Sequence, residues 1–557
     1  MRKLYVVLLV VGLTLVVLVG VTRMSAEDAA PAATSPPEGP EMVMVAMPDG
    51  VRLATDVYLP GGDGPWPTIL IRTTYSRQGE MGGMADMLKM GGYVVVMQDT
   101  RGRFDSEGTD TVFSTATQDG QATLEWIAAQ PWCDGRIGTW GPSALGIVQY
   151  MLAPNAPEAL RCQFVAISTP DLYHAGFLGG VARQSLVEGW LAWQDSEFIL
   201  QEWLSHPMED DYWDAADISG RYDEVHVPAI HIGGWYDIFT QGTLDAFVGY
   251  QEQGGAGAAG RQHLVMGPWT HIGMATGERQ QGELEYPAGA EMDTMELMRL
   301  TFNWYQACLL GEESRADDWP AVRYYVMGDV DNPDAPGNEW READAWPPPA
   351  TELSLYLRAD GLLDATPPTA DEGGNTFVYD PSDPSPTVCG ANLTIKAGPC
   401  DQREVEARDD VLIFSTPPLE SPLEVTGRVR ARLWLVSDAP DTDVAVRLTD
   451  VYPDGRSMLV TDGILRARFR GLDFTREELM IPGAPYELEI DLGSTSIAFD
   501  AGHAIRIVIS SSNAPRFDPN PNTGAPLRAN DEIRTATNTI LHDADHPSAL
   551  LLPVSEP

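Results

Sequence analysis

Lysine is almost missing from this chain. Only Lys3, Lys89 and Lys396 occur, and every other basic residue is arginine. Against 36 basic residues stand 81 acidic ones, a formal net charge of −45. Such a surface repels nucleic acid and anionic membranes, so neither is an expected partner. Two readings of the acidity stay open. It solubilises the protein, or it suits a saline habitat in which salt screens the self-repulsion. Cysteine is scarce as well: Cys133, Cys162, Cys308, Cys389 and Cys400. The odd number leaves at least one unpaired within a monomer. Cys389 and Cys400 bracket a short Gly/Asn loop and form the candidate disulfide; the other three are expected buried and free. No internal repeat is found, which excludes a repeat array.

Long apolar runs are missing too, with one exception. Met1-Arg2-Lys3 precedes an apolar run from Leu4 to Val21. A charged start followed by a hydrophobic stretch reads as an export signal, so residues 1–26 are a signal peptide or an uncleaved signal anchor. No cysteine lies early enough for a lipoprotein anchor. Residues 27–42 are rich in Ala, Pro and Glu and read as a disordered linker. The expected location is exported, with membrane contact only through such an anchor.

At 557 residues with 43% apolar content, the chain exceeds one ordinary domain and can build real cores. Residues 43–171 alternate apolar strands with helical stretches, the pattern of a mainly parallel α/β sheet. Strands are legible at 68–72, 93–98, 137–140 and 164–168. Residues 172–225 turn helical and aromatic, with Leu186, Trp190, Trp193, Leu200, Trp203 and Trp213 roughly on a helical period. This reads as a cap inserted between core strands, most of its aromatics packing on the core and a few facing a pocket. Core elements resume over 226–317, including a helix from Thr294 that stops at Gly311. From 318 to 557 the chain alternates apolar and polar residues, most plainly over Leu423 to Leu435, with Pro453-Asp454-Gly455 as a hairpin turn. That predicts a β-sandwich.

The chemistry concentrates at Ser143, in Trp140-Gly141-Pro142-Ser143-Ala144-Leu145-Gly146. It follows a strand and precedes a helix expected to start at Leu145. Glycine before a serine at such a junction permits the strained turn of a nucleophile elbow. The common form is G-x-S-x-G; here Leu145 holds the second glycine's place and Gly146 follows one residue later. Asp237 ends the apolar run that starts at Pro228, and His271 ends the one that starts at His263. Serine, acid and histidine thus come in α/β-hydrolase order, each past the carboxyl end of a strand. Serine needs a base to take its proton, histidine suits because its ordinary pKa is ~6.5, and an aspartate fixes the imidazole tautomer. This chemistry requires no metal and no cofactor.

With these motifs the chain resembles the cocaine-esterase and X-Pro dipeptidyl-peptidase group of serine hydrolases. That group also holds glutaryl-7-aminocephalosporanate acylases and α-amino-acid ester hydrolases. The resemblance runs from about Val43 to about Pro553. It rests on Gln98-Asp99-Thr100-Arg101-Gly102-Arg103 with Ser106-Glu107-Gly108, and on Glu125 to Trp132. It rests also on Gly234-Trp235-Tyr236-Asp237, Gly267-Pro268-Trp269-Thr270-His271, Asp401-Gln402-Arg403 and His546-Pro547-Ser548. It implies an α/β-hydrolase fold with a helical cap, followed by an all-β jelly roll of the galactose-binding-like type. It implies Ser143 as nucleophile, His271 as base and Asp237 as orienting acid. The Tyr75 hydroxyl and the Ala144 N–H would form the oxyanion hole. Where the family usually has tyrosine, this chain has Ala144, and only the backbone donor remains.

The expected substrate is a small ester or amide, cleaved through an acyl-enzyme; the sequence is silent on oligomeric state. X-Pro peptidase and α-amino-acid ester hydrolase activities are the alternatives within the family. The glutamate that marks the latter two places after the serine is replaced by Leu145. A catalytically vestigial, sugar-binding surface protein is the alternative of a different class. Three features are given structural readings. Met81, Met84, Met87 and Met90 fit a buried helix face better than a soft-metal site. His542-Asp543-Ala544-Asp545-His546 fits a turn before a strand. Asn392-Leu393-Thr394 is a glycosylation sequon, meaningful only where the source glycosylates.

Overall fold

The computed structural model describes residues 39–79, 81–312, 319–370 and 372–555. The expected export signal and most of the linker lie outside these residues. Among the described residues no helix is long and apolar enough to cross a membrane.

Ten strands form the first sheet: β1 (Glu41–Ala46), β2 (Arg52–Tyr58), β3 (Trp66–Thr73), β4 (Val94–Asp99), β5 (Cys133–Pro142), β6 (Leu160–Ala166), β7 (Ala229–Tyr236), β8 (His263–Thr270), β9 (Val322–Val326) and β10 (Glu339–Ala343). Their spatial order is β1-β2-β4-β3-β5-β6-β7-β8-β9-β10. Pairing is parallel from β4 through β9 and antiparallel at the two edges. The central strands are buried on both faces, which is why β4 reads Val-Val-Val-Met without alternation. Val322–Val326 and Glu339–Ala343, which the sequence pattern placed with the sandwich, hydrogen-bond into this first sheet instead. Short apolar strands carry no mark of the sheet they join.

Helices α1 (Met81–Met90), α2 (Ala116–Ala128) and α3 (Ala144–Leu152) cover the sheet. In α1 Met84 is buried, Met87 half-buried and Met90 exposed, so the methionine stripe is a core face only in part. The cap holds α4 (Leu172–Gly176), α5 (Gln184–Trp193) and α6 (Leu200–Ser205). After it come α7 (Thr240–Gln253), α8 (His271–Thr276) and α9 (Thr294–Cys308). The remaining strands pair antiparallel; apart from two short two-stranded ribbons, at 177–182 and 280–285, they make a seven-stranded and a four-stranded sheet. Leu433 and Leu435 of the first share one core with Val446, Leu448 and Ile507 of the second. The strand Leu423–Ser437 alternates buried and less buried positions as its sequence predicts.

One cysteine expectation is corrected. Cys162 and Cys308 form a disulfide, with Cα atoms 6.2 Å apart, joining β6 to the end of α9. They lie 146 residues apart, so no local spacing could reveal the pair. Cys389–Cys400 is bonded, and Cys133 is buried and free. The sequon residue Asn392 is 3% exposed and spends its amide on the carbonyls of Cys389 (2.7 Å) and Lys396 (3.0 Å), which withdraws it from glycosylation.

Candidate active site

Ser143 occupies the turn between β5 and α3, with φ +57° and ψ −128°. A side chain held there costs about 1–3 kcal/mol, so the surroundings must enforce it. They do. The Ser143 N–H donates to the Ala166 carbonyl (2.9 Å), and the Ser168 hydroxyl donates to the Ser143 carbonyl (3.1 Å). The Gln149 amide donates to the Gly141 carbonyl (3.0 Å). The motif's irregular glycine is explained by packing. A Cβ on Gly141 would lie 2.4 Å from the Cβ of Leu145, so Leu145 occupies the space that Gly141 leaves free. A Cβ on Gly146 would lie 2.6 Å from Ser168, so this glycine lets α3 press against the end of β6. The helix starts at Ala144, one residue earlier than expected.

Asp237 follows β7 and His271 opens α8 directly after β8, so three parallel strands of one sheet, β5, β7 and β8, deliver the three groups, with β6 between the first two. His271 Nε2 lies 2.9 Å from Ser143 Oγ, and His271 Nδ1 lies 2.5 Å from Asp237 Oδ2. Asp237 Oδ1 accepts from the Phe239 N–H (2.7 Å), which fixes the carboxylate plane. The Thr270 hydroxyl caps α8 by accepting from the Gly273 N–H (2.9 Å), and its own N–H donates to Gln281 Oε1 (2.8 Å). Asp237 and His271 are each 1% exposed and Ser143 9%. With Asp237 ionised, Nδ1 carries the imidazole proton and Nε2 accepts from the serine hydroxyl.

Tyr75 sits just past β3, and Ser143 is among the groups acting on its phenol. Burial raises the phenol above its ordinary pKa, so at neutral pH it is a hydrogen-bond donor. Its oxygen accepts from the Trp190 indole N–H at 3.1 Å, which leaves the phenolic O–H free to point elsewhere. Ala144 is the first residue of α3, and its N–H has no intrahelical acceptor. The sequence marked Trp190 only as one cap aromatic; its hold on Tyr75 was not legible, because the two are 115 residues apart. The arginine block proves to be scaffolding around this loop. Arg77 is buried among Asp56, Asp99 and Asp105, and Arg101 bridges Asp49 and Asp119. Arg103 spans from the Thr74 carbonyl (3.2 Å) to the Gln194 side chain (3.1 Å), tying the cap beside Tyr75.

A narrow pocket of about 40 Å³ opens next to Ser143. Its wall is Phe113, Ile147, Leu172, Leu186, Trp190, Trp203, Phe239 and Leu393, with no ionisable side chain. Leu145 is absent from that wall and is buried in the sheet core instead. Elsewhere, among the described residues, Asp329, Asp500 and His503 form the one group with metal-ligand spacing, but His503 Nδ1 already bonds Asp450 (2.9 Å). His546 bonds Asp543 within its own turn, as a structural reading requires.

Comparison with known proteins agrees with this layout. Residues 49–197 and 188–273 match the X-Pro dipeptidyl-peptidase (S15) family, and 314–551 match the X-Pro dipeptidyl-peptidase C-terminal non-catalytic domain. The cocaine esterase of Rhodococcus sp. (strain MB1 Bresler) is 33% identical over 578 residues, covering 92% of this chain and 98% of that protein. An α-amino-acid ester hydrolase structure superposes with TM-score 0.81 at 24% identity, covering 96% of this chain and all of its own. An aminopeptidase from a marine sediment Thaumarchaeota archaeon superposes with TM-score 0.80 at 25% identity, over 96% and 99% of the two chains. Full-length similarity to that esterase, on this fold, makes the chain a serine hydrolase of the cocaine-esterase (CocE/NonD) family.

Proposed function

We propose that this protein is an exported esterase that cleaves esters of small, uncharged acyl groups through an acyl-enzyme. The observation that carries the reading is the chain Ser143 Oγ, His271 Nε2, His271 Nδ1 and Asp237 Oδ2, linked at 2.9 and 2.5 Å. Ser143 attacks the carbonyl carbon while His271 takes its proton. Asp237 holds the tautomer and stabilises the imidazolium. The Tyr75 hydroxyl and the Ala144 N–H receive the oxyanion, the step in which such donors contribute most. His271 then returns the proton to the leaving alcohol, and water repeats the cycle on the acyl-enzyme.

The pocket supports the acyl preference. Its wall offers no carboxylate to an α-ammonium group, which weighs against X-Pro peptides and α-amino-acid esters. Leu145 faces the core, so its identity does not decide the matter. Its narrow volume, near 40 Å³, favours short acyl groups; a closed cavity known to take up benzene measures roughly 150 Å³. Export is supported by the charged, apolar N-terminus and by two disulfides, which persist in oxidising compartments.

The test runs aryl acetate, butyrate, benzoate, alanyl ester and X-Pro amide side by side, with Ser143→Ala as control. The acetate and butyrate are expected to lead in kcat/KM, and Ser143→Ala to abolish turnover of all while melting normally. Preference for the X-Pro amide would replace the esterase reading. Failure of a fluorophosphonate to label Ser143 would favour the vestigial, binding-only alternative.

A further inference from the structure

Asp329, Asp500 and His503 meet where the hydrolase sheet passes into the β-sandwich. Asp329 comes three residues after β9. Its segment is laced to the sandwich: the Met327 N–H donates to the Ser496 carbonyl (2.9 Å), and the Ala498 N–H donates to the Met327 carbonyl (2.8 Å). Asp500 and His503 occupy the turn between the sandwich strands Pro485–Phe499 and Ala504–Ser510. The three side chains offer ligand atoms that all lie within 4.8 Å of one another. Asp329 is 8% exposed and His503 2%.

The bond from His503 Nδ1 to Asp450 (2.9 Å) orients the imidazole and leaves the group open. It sets Nε2 opposite Asp329 Oδ2, 3.6 Å away and beyond hydrogen-bond length. Among the described residues Nε2 has no hydrogen-bond partner. One ring nitrogen held by a carboxylate, with the other unspent, is the usual arrangement of a metal-bound histidine. Two ligands on one tetrahedral zinc ion stand about 3.3 Å apart, close to the spacing here. Asp329 Oδ1 accepts from the Asp331 N–H (2.9 Å), so Oδ2 is the oxygen left for a ligand. Asp500 Oδ2 is steadied by the Asn332 amide (3.0 Å). Beside them Asn338 donates from Nδ2 to the Asp329 carbonyl (2.9 Å), and its Oδ1 is buried without a donor. Flipping that amide would set oxygen against the carbonyl, so a cation or a water must satisfy it.

Charge points the same way. Asp329, Asp450 and Asp500 all act on His503. Even with the imidazole protonated, three carboxylates outnumber one cation. Arg456 lies over the neighbouring Tyr452 ring but is taken by Asp331 (2.6 Å) and Asp454 (2.8 Å), so counting it with its partners makes the group no less negative. Buried charges in folded proteins are otherwise paired or bound to metal.

We propose that Asp329, Asp500 and His503 bind a divalent transition-metal ion, with zinc the best match for one imidazole and two carboxylates. Bound there, the ion fastens the segment after β9 to the sandwich turn and takes no part in the chemistry at Ser143. Proton and ion compete for Nε2, so the titration of His503 is a property of the metal-free protein.

The test uses the full chain, stripped with a chelator, dialysed, and melted with zinc, manganese, calcium or magnesium at equal concentration. An acidic surface takes up any divalent ion, so calcium and magnesium set the background. Zinc is expected to raise Tm beyond that background by about 3 °C or more at a hundredfold excess over its Kd. Atomic emission should find a zinc ion retained by each wild-type chain after gel filtration. Asp500→Asn, nearly the same in shape, should lose both the zinc-specific shift and the retained ion. Should that variant fail to fold, anomalous density at the zinc edge in wild-type crystals decides, with a peak expected beside His503 Nε2. Equal shifts with all four ions, zinc retained by folded Asp500→Asn, or zinc density only at other histidines would each overturn the proposal. None of these readouts uses turnover, so a failed esterase assay leaves the result standing.

Discussion

Replacing Tyr75 by phenylalanine removes one oxygen atom with two partners. Towards the reaction, the phenolic O–H has the proposed role of one of two oxyanion donors, and deleting one such donor costs about 3–4 kcal/mol of barrier, or roughly 10²–10³ in kcat. Towards the cap, the oxygen accepts from Trp190 Nε1 at 3.1 Å, and the substitution leaves that half-buried indole N–H without an acceptor. Losing a neutral hydrogen bond of this kind costs about 1 kcal/mol, a fall in Tm of no more than about 2–4 °C. The ring itself stays, and so does its packing. Expected, then, is a large kinetic loss beside a small thermal one. The assay pairs steady-state hydrolysis of an aryl acetate with fluorophosphonate labelling and a thermal melt. Labelling slows in step with kcat, because the donor acts as the tetrahedral species forms. Trp190→Phe supplies the control: it removes the indole N–H, keeps the phenol, and should lower kcat by less than about tenfold. A Tyr75→Phe enzyme with wild-type kcat would remove Tyr75 from the oxyanion hole and refute the reasoning.

Gly146→Ala places a Cβ 2.6 Å from Ser168, whose hydroxyl holds the Ser143 carbonyl; a loss of about 1–3 kcal/mol in a denaturant melt and a drop in kcat are expected together, and a stable, fully active variant would contradict the packing account. Cys162→Ser opens a covalent loop spanning 146 residues, worth at most about 5 kcal/mol by chain entropy, so its urea midpoint should fall clearly below that of Cys389→Ser, which opens a separation of 11. His503 faces Asp450, Asp329 and Asp500; burial is the largest single influence and opposes its charge, but the Asp450 hydrogen bond and the charges of the three carboxylates together outweigh it and raise its pKa. Stability from a raised histidine is full below its unfolded value near ~6.5 and is lost as pH rises through the folded one, so the advantage of wild type over His503→Gln should be larger at pH ~6 than at pH ~9; the opposite trend would contradict a raised pKa.

Much of the site could be read from the chain because its parts are local. A strand, a glycine-bearing turn and a helix are neighbours in sequence, so Ser143 announces its elbow, and Asp237 and His271 each close an apolar run that can only be a buried strand. The alternation over Leu423–Ser437 likewise reports one buried face, since side chains in a strand alternate by geometry. What depended on distant segments meeting stayed hidden. The Cys162–Cys308 bond, the Trp190–Tyr75 contact and the membership of Val322–Val326 in the first sheet each join residues that no local pattern relates. Leu145 shows the difference most plainly. Its place in the motif was visible, but only the packed structure turns its side chain into the core and away from the pocket. The buried arginines belong to the same class: composition gave their abundance, and only the three-dimensional arrangement set Arg516 against Asp462 and left Arg183 and Arg447 on neutral hydrogen-bond acceptors. Sequence determines which chemistry each segment can carry, because propensity and periodicity act over a few residues. Which groups face one another follows only from long-range packing.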